Sequence, residues 1–300
     1  MTAAPHEPAW YDAQYNNRAR IPGHPQILQS WAERSRQALD DPLCVRDIPY
    51  QEASAALAGA GHDPGNTLDM FLPHPPGRAA AGGAPVLVYL HGGYWRALSK
   101  RDQAFIGPAF AQAGALVAIP DYPLAPAVSV EHIVMQVARA LAWTWRHARE
   151  YGGDPRRLVV AGHSAGGHLA AMMLLLDWPA FQAGLPRRLV RGAVSLSGVF
   201  DLEPLRHAPF LAPDLRLDEQ AALRLSPACM PAPPGPLLAL VGSQESEEFL
   251  RQNRLIRERW GVRAVPVCET VPGRHHMNVL HDLADPQARA HRLTRGLLGL

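Results

Sequence analysis

Residues Gly162-His163-Ser164-Ala165-Gly166 form a G-x-S-x-G, and their setting matters more than their letters. The segment follows the apolar run Arg157 to Ala161 (RLVVA) directly and opens a mostly apolar stretch, 165 to 176, that reads as a helix. A serine in a sharp turn from buried strand to helix is held with its hydroxyl presented, and only small neighbours let that turn close. The helix start beneath it favours developing negative charge. Ser164 therefore reads as a nucleophile. The plainer alternative is a glycine-rich turn with an incidental serine. A phosphate-binding loop is a second, but the lysine of a Walker loop is missing.

An unassisted hydroxyl is a poor nucleophile; it needs a base, and the base needs an orienting carboxylate. On a strand–turn–helix nucleophile these follow in the order acid, then histidine, in loops after later strands. After Leu237 to Val241 (LLALV) comes Gly242-Ser243-Gln244-Glu245-Ser246-Glu247-Glu248, and after a strand ending near Glu269 comes Pro272-Gly273-Arg274-His275-His276-Met277. Glu245 is first in its loop and placed to reach a histidine, whereas Glu247 and Glu248 suit the start of the next helix. Of the fourteen histidines, only His275 and His276 fall in the loop after the last strand. His276, nearer the helix start, is preferred, with His275 and Glu248 as the substitutes for base and acid. His163, beside the nucleophile, is expected to line the pocket or pack. His281 and His291 fall inside the closing helix, where packed or solvated rings are ordinary.

Attack on a carbonyl makes an oxyanion that needs donors already in place. His91-Gly92-Gly93, after the strand PVLVYL, is suited to supply them, because glycine lets the backbone approach a substrate oxygen closely and accept positive φ. Ala165, the residue after the nucleophile, supplies another amide. Tyr94 and Trp95 then follow where they could wall an acyl or aryl pocket; for Trp95, core packing is the alternative.

Other chemistries find little support. There is no HExxH, and His163 and His168, five apart across an irregular turn, make a weak ligand pair, so neither a metal nor a cofactor is expected. A net charge of +2 with scattered Lys and Arg argues against nucleic acid or a membrane surface as partner. The longest apolar run, Leu169 to Leu176, is far short of the roughly 20 residues of a membrane span. Cys44, Cys229 and Cys268 form no spaced framework and read as reduced structural thiols, and no signal peptide is apparent, so a cytoplasmic protein is expected. The partner is a small-molecule substrate; oligomeric state is not readable, with a homodimer left open.

The elements that must position these residues alternate. A helix is expected around Gln26 to Leu39, and edge strands at 43 to 50 and 67 to 72 flank an Ala/Gly-rich loop. A flexible stretch, PHPPGRAAAGGA, precedes the strand at 85 to 90. Strands follow at Ala115 to Pro120, Arg157 to Ala161, Leu189 to Leu196, Leu237 to Val241 and Arg263 to Glu269, with helices at Val130 to Tyr151, 165 to 176, Ser246 to Trp260 and 277 to 298. Strands that are apolar throughout, alternating with helices, imply an α/β fold with a doubly wound, mostly parallel sheet covered on both faces. Residues 201 to 235, rich in proline and short helical pieces, read as an excursion over the sheet. One domain, 1–300, is expected, with residues 1–40 and about 201–225 of the excursion forming a small cap and pocket.

Taken together, HGGYW, GHSAGGHLA, DYPLAP at 121 to 126, Ser226-Pro227 leading into LLALVGSQE, and HHMNVL at 275 to 280 resemble the HGG branch of the α/β-hydrolases. That branch includes hormone-sensitive-lipase-like esterases and kynurenine formamidases (arylformamidases). The resemblance runs from about residue 85 to the end and implies an α/β-hydrolase fold with Ser164, Glu245 and His276 as triad. It also implies Gly92, Gly93 and Ala165 as oxyanion amides. The aromatic and Trp after HGG, and the segment Glu245 to Phe249, lean toward the formamidases. Two departures stand out: Glu245, where aspartate is commoner, and His275, where another polar residue is more usual. The implied activity is hydrolysis of a small aryl formamide such as N-formylkynurenine, or of a carboxylic ester as a general carboxylesterase of aromatic or xenobiotic breakdown. A non-catalytic ligand-binding relative is the reading from another class, and such proteins usually lose a triad member or oxyanion glycine that this chain keeps.

Overall fold

The apolar runs become the inner strands of an eight-stranded sheet in the computed structural model, which describes residues 6–51, 66–74 and 82–300. Its strands are β1 (Cys44–Pro49), β2 (Thr67–Phe71), β3 (Ala84–Leu90), β4 (Leu116–Pro120), β5 (Gly153–His163), β6 (Gly192–Leu196), β7 (Leu237–Gly242) and β8 (Val267–Val271). They lie in the order β1-β2-β4-β3-β5-β6-β7-β8; β1 and β2 are antiparallel, β2 pairs antiparallel with β4, and the rest are parallel. The loop expected between β1 and β2 and most of PHPPGRAAAGGA lie outside the described residues.

Three helices precede the sheet: α1 (Pro8–Tyr15), α2 (Asn17–Arg20) and α3 (His24–Leu39). Then come α4 (Lys100–Gln103), α5 (Gly107–Gln112), α6 (Val130–His147), α7 (Ala165–Leu175) and α8 (Trp178–Phe181). Between β6 and β7 lie α9 (Ala212–Leu215) and α10 (Glu219–Arg224), followed by α11 (Glu247–Ala264), α12 (His281–Ala284) and α13 (Arg289–Leu298). Because side chains alternate across a strand, β3 splits its apolar residues between two cores. Val86, Val88 and Leu90 face the core that holds Ile133, Leu169 and Ile256, while Leu87 and Tyr89 face the one that holds Trp31, Phe110 and Leu298. Both faces of the central strands are thus covered, which is why these strands carry no polar alternation.

Some boundaries differ from the sequence expectation. The expected strand at 263 to 269 begins only at Val267, because α11 extends to Ala264 across an interruption at Gly261 (φ 78°). The single closing helix is broken after α12, where Asp285 turns extended (ψ 113°) ahead of Pro286, whose ring excludes a helical predecessor. Helices α4 and α5 were not read from the sequence. The signal for α4 is a capping box, Ser99 with Asp102, in which the Asp102 carboxylate accepts the Ser99 N–H at 2.7 Å, and that for α5 is Pro108 in its first turn. Among the described residues no helix is long and apolar enough to cross a membrane.

Two buried polar groups tie the layers together. Lys100, only 1% exposed, opens α4 and donates from Nζ to Asp47 at 2.6 Å and to Asp69, while its N–H reaches Asp121 at 3.0 Å. Removing the cation leaves the buried Asp69 carboxylate uncompensated, so Lys100→Met is expected to destabilise by about 3–5 kcal/mol in urea unfolding. His168, on α7, donates from Nε2 to the Leu225 carbonyl at 2.8 Å and so pins the 201–235 excursion. Burial lowers its pKa to about 4. The unfolded chain takes up this proton near pH 6.5 and the folded one does not, so the contribution is whole above pH 6.5 and declines as pH falls toward 4. The slope is at most about 1.4 kcal/mol per pH unit for this one proton. Unfolding free energies at pH 7 and pH 5.5 should therefore differ less in His168→Gln, which keeps a donor and cannot titrate, than in the parent.

Candidate active site

The end of β5 and the start of α7 form a turn in which Ser164 takes φ 57° and ψ −118°, a conformation non-glycine residues seldom adopt. The Ser164 N–H holds the strand register by donating to the Leu196 carbonyl at 2.8 Å. The turn closes only because Gly166 has no side chain: a Cβ there would lie 2.0 Å from the Leu90 carbonyl oxygen at the end of β3. Small residues around the serine are thus a steric requirement.

Ser164 Oγ lies 3.0 Å from His276 Nε2, and His276 Nδ1 lies 2.6 Å from Glu245 Oε2. The other carboxylate oxygen of Glu245 accepts the Gly242 N–H at 2.8 Å and the Ser197 hydroxyl at 2.5 Å. All three side chains are buried, and Phe249 packs against the His276 ring at 4.4 Å between centroids. With Nδ1–H given to Glu245, the imidazole presents Nε2 as an acceptor to the serine hydroxyl. Glu248 is committed elsewhere, accepting from Arg251 and, at 2.6 Å, from the Tyr15 hydroxyl. His275 turns away to accept the Met277 and Asn278 N–H groups at 3.2 and 3.3 Å.

His163 braces the histidine loop. Burial, then the neighbouring His276, lowers its pKa to about 3, so its ring is neutral and donates from Nε2 to the His276 carbonyl at 2.7 Å. It also forms part of the wall of a cavity of about 600 Å³ that opens onto Ser164 and His276. Tyr94 lies in that wall too, its hydroxyl donating to the Tyr15 carbonyl at 2.6 Å. Trp95 does not. It is fully buried, edge-on to His168 at 5.0 Å, because a second positive φ (58°) turns it from the cavity into the core. The expectation that Trp95 walls the pocket is corrected accordingly.

The oxyanion loop also differs from expectation at one residue. Gly93 has φ 112°, and its amide and that of Ala165 find no acceptor among the described residues. The Gly92 N–H, by contrast, donates to Gln103 Oε1 at 3.3 Å, so it is not free for a ligand. Gly92 is required for a different reason: a Cβ there would meet the His163 carbonyl at 2.8 Å.

Residues that sequence reasoning did not single out complete the cavity. Asn17, Arg18 and Trp31 come from α2 and α3, Gln103 from α4, and Phe210 and Asp214 from the excursion. The Arg96 guanidinium pairs with Asp214 and lies 5.5 Å from the Phe210 ring centroid, joining the HGG loop to the excursion. No local pattern marks these contacts, which are made by segments far apart in the chain. Among the described residues no cluster of three or more His, Cys, Asp or Glu is arranged to hold a metal.

A family model for the α/β-hydrolase fold matches residues 87–224. A kynurenine formamidase of Danio rerio is 29% identical over 286 residues, 93% of this chain and 89% of that protein. The Mycobacterium tuberculosis protein named probable carboxylic ester hydrolase LipM is 31% identical over 210 residues, 68% of this chain and 44% of its own length. A solved structure from Silicibacter sp., provisionally named a thioesterase, is 31% identical with a TM-score of 0.75, covering 93% of this chain and 96% of that one. The chain is a member of the α/β-hydrolase family, among hydrolases that include kynurenine formamidases and carboxylic ester hydrolases.

Proposed function

We propose that this protein is a serine hydrolase that cleaves a small aryl formamide, of the N-formylkynurenine kind, through an acyl-enzyme. The observation that carries the reading is the hydrogen-bonded chain Ser164–His276–Glu245 at the floor of the cavity. His276 Nε2 takes the Ser164 proton as Oγ attacks the formyl carbon, and Glu245 stabilises the imidazolium that results. The oxyanion is met by the Gly93 and Ala165 N–H groups and by the N-terminal end of α7. Collapse of this intermediate breaks the C–N bond, and His276 returns the proton to the departing aryl amine. Water, deprotonated by the same imidazole, then attacks the formyl-serine, and a second collapse releases formate and restores the hydroxyl.

The formamide is favoured over other acyl groups by the formamidase relative, which aligns along 93% of this chain, and by the aromatic wall of Tyr94, Trp31 and Phe210. The ester hydrolase and the thioesterase-named structure favour a second reading, a general carboxylesterase using the same residues. In either case we assign the pocket's roof to a cap built from the N-terminal helices and the 201–235 excursion of a single domain.

Purified protein assayed on N-formylkynurenine and p-nitrophenyl acetate separates the two: a higher kcat/KM on the formamide supports the first reading, and the reverse supports the second. Ser164→Ala should lower kcat by on the order of 10⁴ or more on whichever substrate is turned over. Glu245→Gln, which leaves the imidazole with the wrong tautomer, should lower it by about 10⁴ with little change in KM. Turnover that persists in Ser164→Ala refutes the serine mechanism.

A further inference from the structure

We propose that Gln103 is a positioning residue of the oxyanion site, holding the Gly92 N–H so that the next amide, that of Gly93, points at the reacting carbonyl. This inference rests on the serine-hydrolase reading above. The His91 carbonyl accepts the Tyr122 hydroxyl at 2.8 Å, and the Gly92 carbonyl accepts His91 Nδ1 at 2.8 Å. The Gly93 carbonyl accepts the Arg96 and Ala97 N–H groups at 3.1 and 3.0 Å, and the Gly92 N–H goes to Gln103. From Gly92 through Gly93 one donor is left over, the Gly93 N–H. The Gly93 N–H shares its peptide plane with the Gly92 carbonyl, held by His91 Nδ1, and that plane hangs from the His91–Gly92 plane, which Tyr122 holds at its carbonyl and Gln103, alone among the described side chains, holds at its N–H.

The orientation of the Gln103 carboxamide follows from its partners. A backbone N–H can only donate, so the oxygen must face Gly92; the same oxygen accepts the Tyr89 hydroxyl at 2.6 Å. Nε2 then has no acceptor among the described residues, although Gln103 is fully buried. A buried amide with an unmade hydrogen bond is disfavoured against a methionine of similar size unless its oxygen is needed. The post that carries it is rigid. Gln103 ends α4, whose first residue, Lys100, is fixed by Asp47 and Asp69, and whose start is closed by the Ser99–Asp102 box. Gln103 lines the same cavity as Ser164 and Gly93.

The test compares the full-length parent with Gln103→Met, Tyr89→Phe and Ser164→Ala. Displacing a catalytic donor by about 1 Å costs on the order of 100-fold. Gln103→Met should therefore lose about 10- to 100-fold in kcat on p-nitrophenyl acetate with KM nearly unchanged. Its inhibition by an aryl trifluoromethyl ketone, which forms the tetrahedral oxyanion adduct, should weaken by the same factor. Tyr89→Phe removes the other bond to the same oxygen and should leave both values close to the parent's. Deuterium exchange of the peptide spanning residues 90 to 98 should quicken in Gln103→Met and not in Tyr89→Phe. Parental kcat or parental exchange in a folded Gln103→Met overturns the proposal. If that variant does not fold, Gln103→Glu, which keeps an acceptor oxygen, takes its place: parental exchange there supports the role, and quickened exchange overturns it. Exchange is read without turnover, so a failure of the serine mechanism, seen as activity surviving in Ser164→Ala, is distinguished from a failure of this inference.

Discussion

The pairing of β3 with β5 is the constraint on which the site depends. These neighbouring parallel strands meet with Leu90 opposite Gly162, so the loops that follow them leave the sheet side by side. One loop is HGG and the other is the serine turn. Their backbones pack so closely that a side chain at Gly166 would strike the Leu90 carbonyl, and one at Gly92 the His163 carbonyl. The separation of the Ser164 turn from the Gly93 amide is therefore set by the strand spacing, about 4.8 Å in any sheet, and by missing Cβ atoms. Within that spacing, the direction of the Gly93 amide is what we assign to Gln103.

Around this fixed centre the remaining parts are fastened by polar contacts between remote segments. Tyr15 joins α1 to α11 through Glu248, Tyr94 joins the HGG loop to α1, and the Phe210 N–H joins the excursion to Asp12 at 3.1 Å. The N-terminal helices and the excursion are thus tied to the same elements that carry Ser164's partners, since α11 follows the Glu245 turn directly. Movement of the N-terminal helices relative to the sheet would have to break several of these contacts together.

What was legible in the sequence follows from this division. The strands, the serine turn and the Ser–acid–His order were readable because each is local: a run of apolar residues, a spacing of glycines, a loop after a strand. The break before Pro286 is equally local, since proline excludes a helical residue ahead of it, although the stretch reads as one closing helix. Trp95 takes the core position that its residue type left open beside the pocket, because its direction depends on successive positive φ values at Tyr94 and Trp95, which residue types do not announce. Gly92 and Gln103 are eleven residues apart, and their contact exists only because α4 is held against the sheet by Lys100. The wall residues Asn17, Trp31 and Asp214 were beyond reach for the same reason: they are brought in by packing between segments, and no spacing along the chain records it.

The glutamate at 245, an oddity in the sequence, has a geometric reason. Its N–H closes a turn onto the Gly242 carbonyl at 3.2 Å, which sets its backbone at the base of the loop after β7. From there the carboxylate has to reach His276 with one oxygen and fold back over Gly242 and Ser197 with the other. An aspartate on the same backbone would fall short by one carbon–carbon bond, about 1.5 Å, and would have to give up one set of partners or the other. The longer acid thus suits this turn, and the donors on its second oxygen fix it against the freedom its extra methylene would otherwise bring. Carboxylate length and loop length are coupled here. A change in either one alone would misalign the imidazole, and through it the serine hydroxyl, while leaving the sheet that supports them intact.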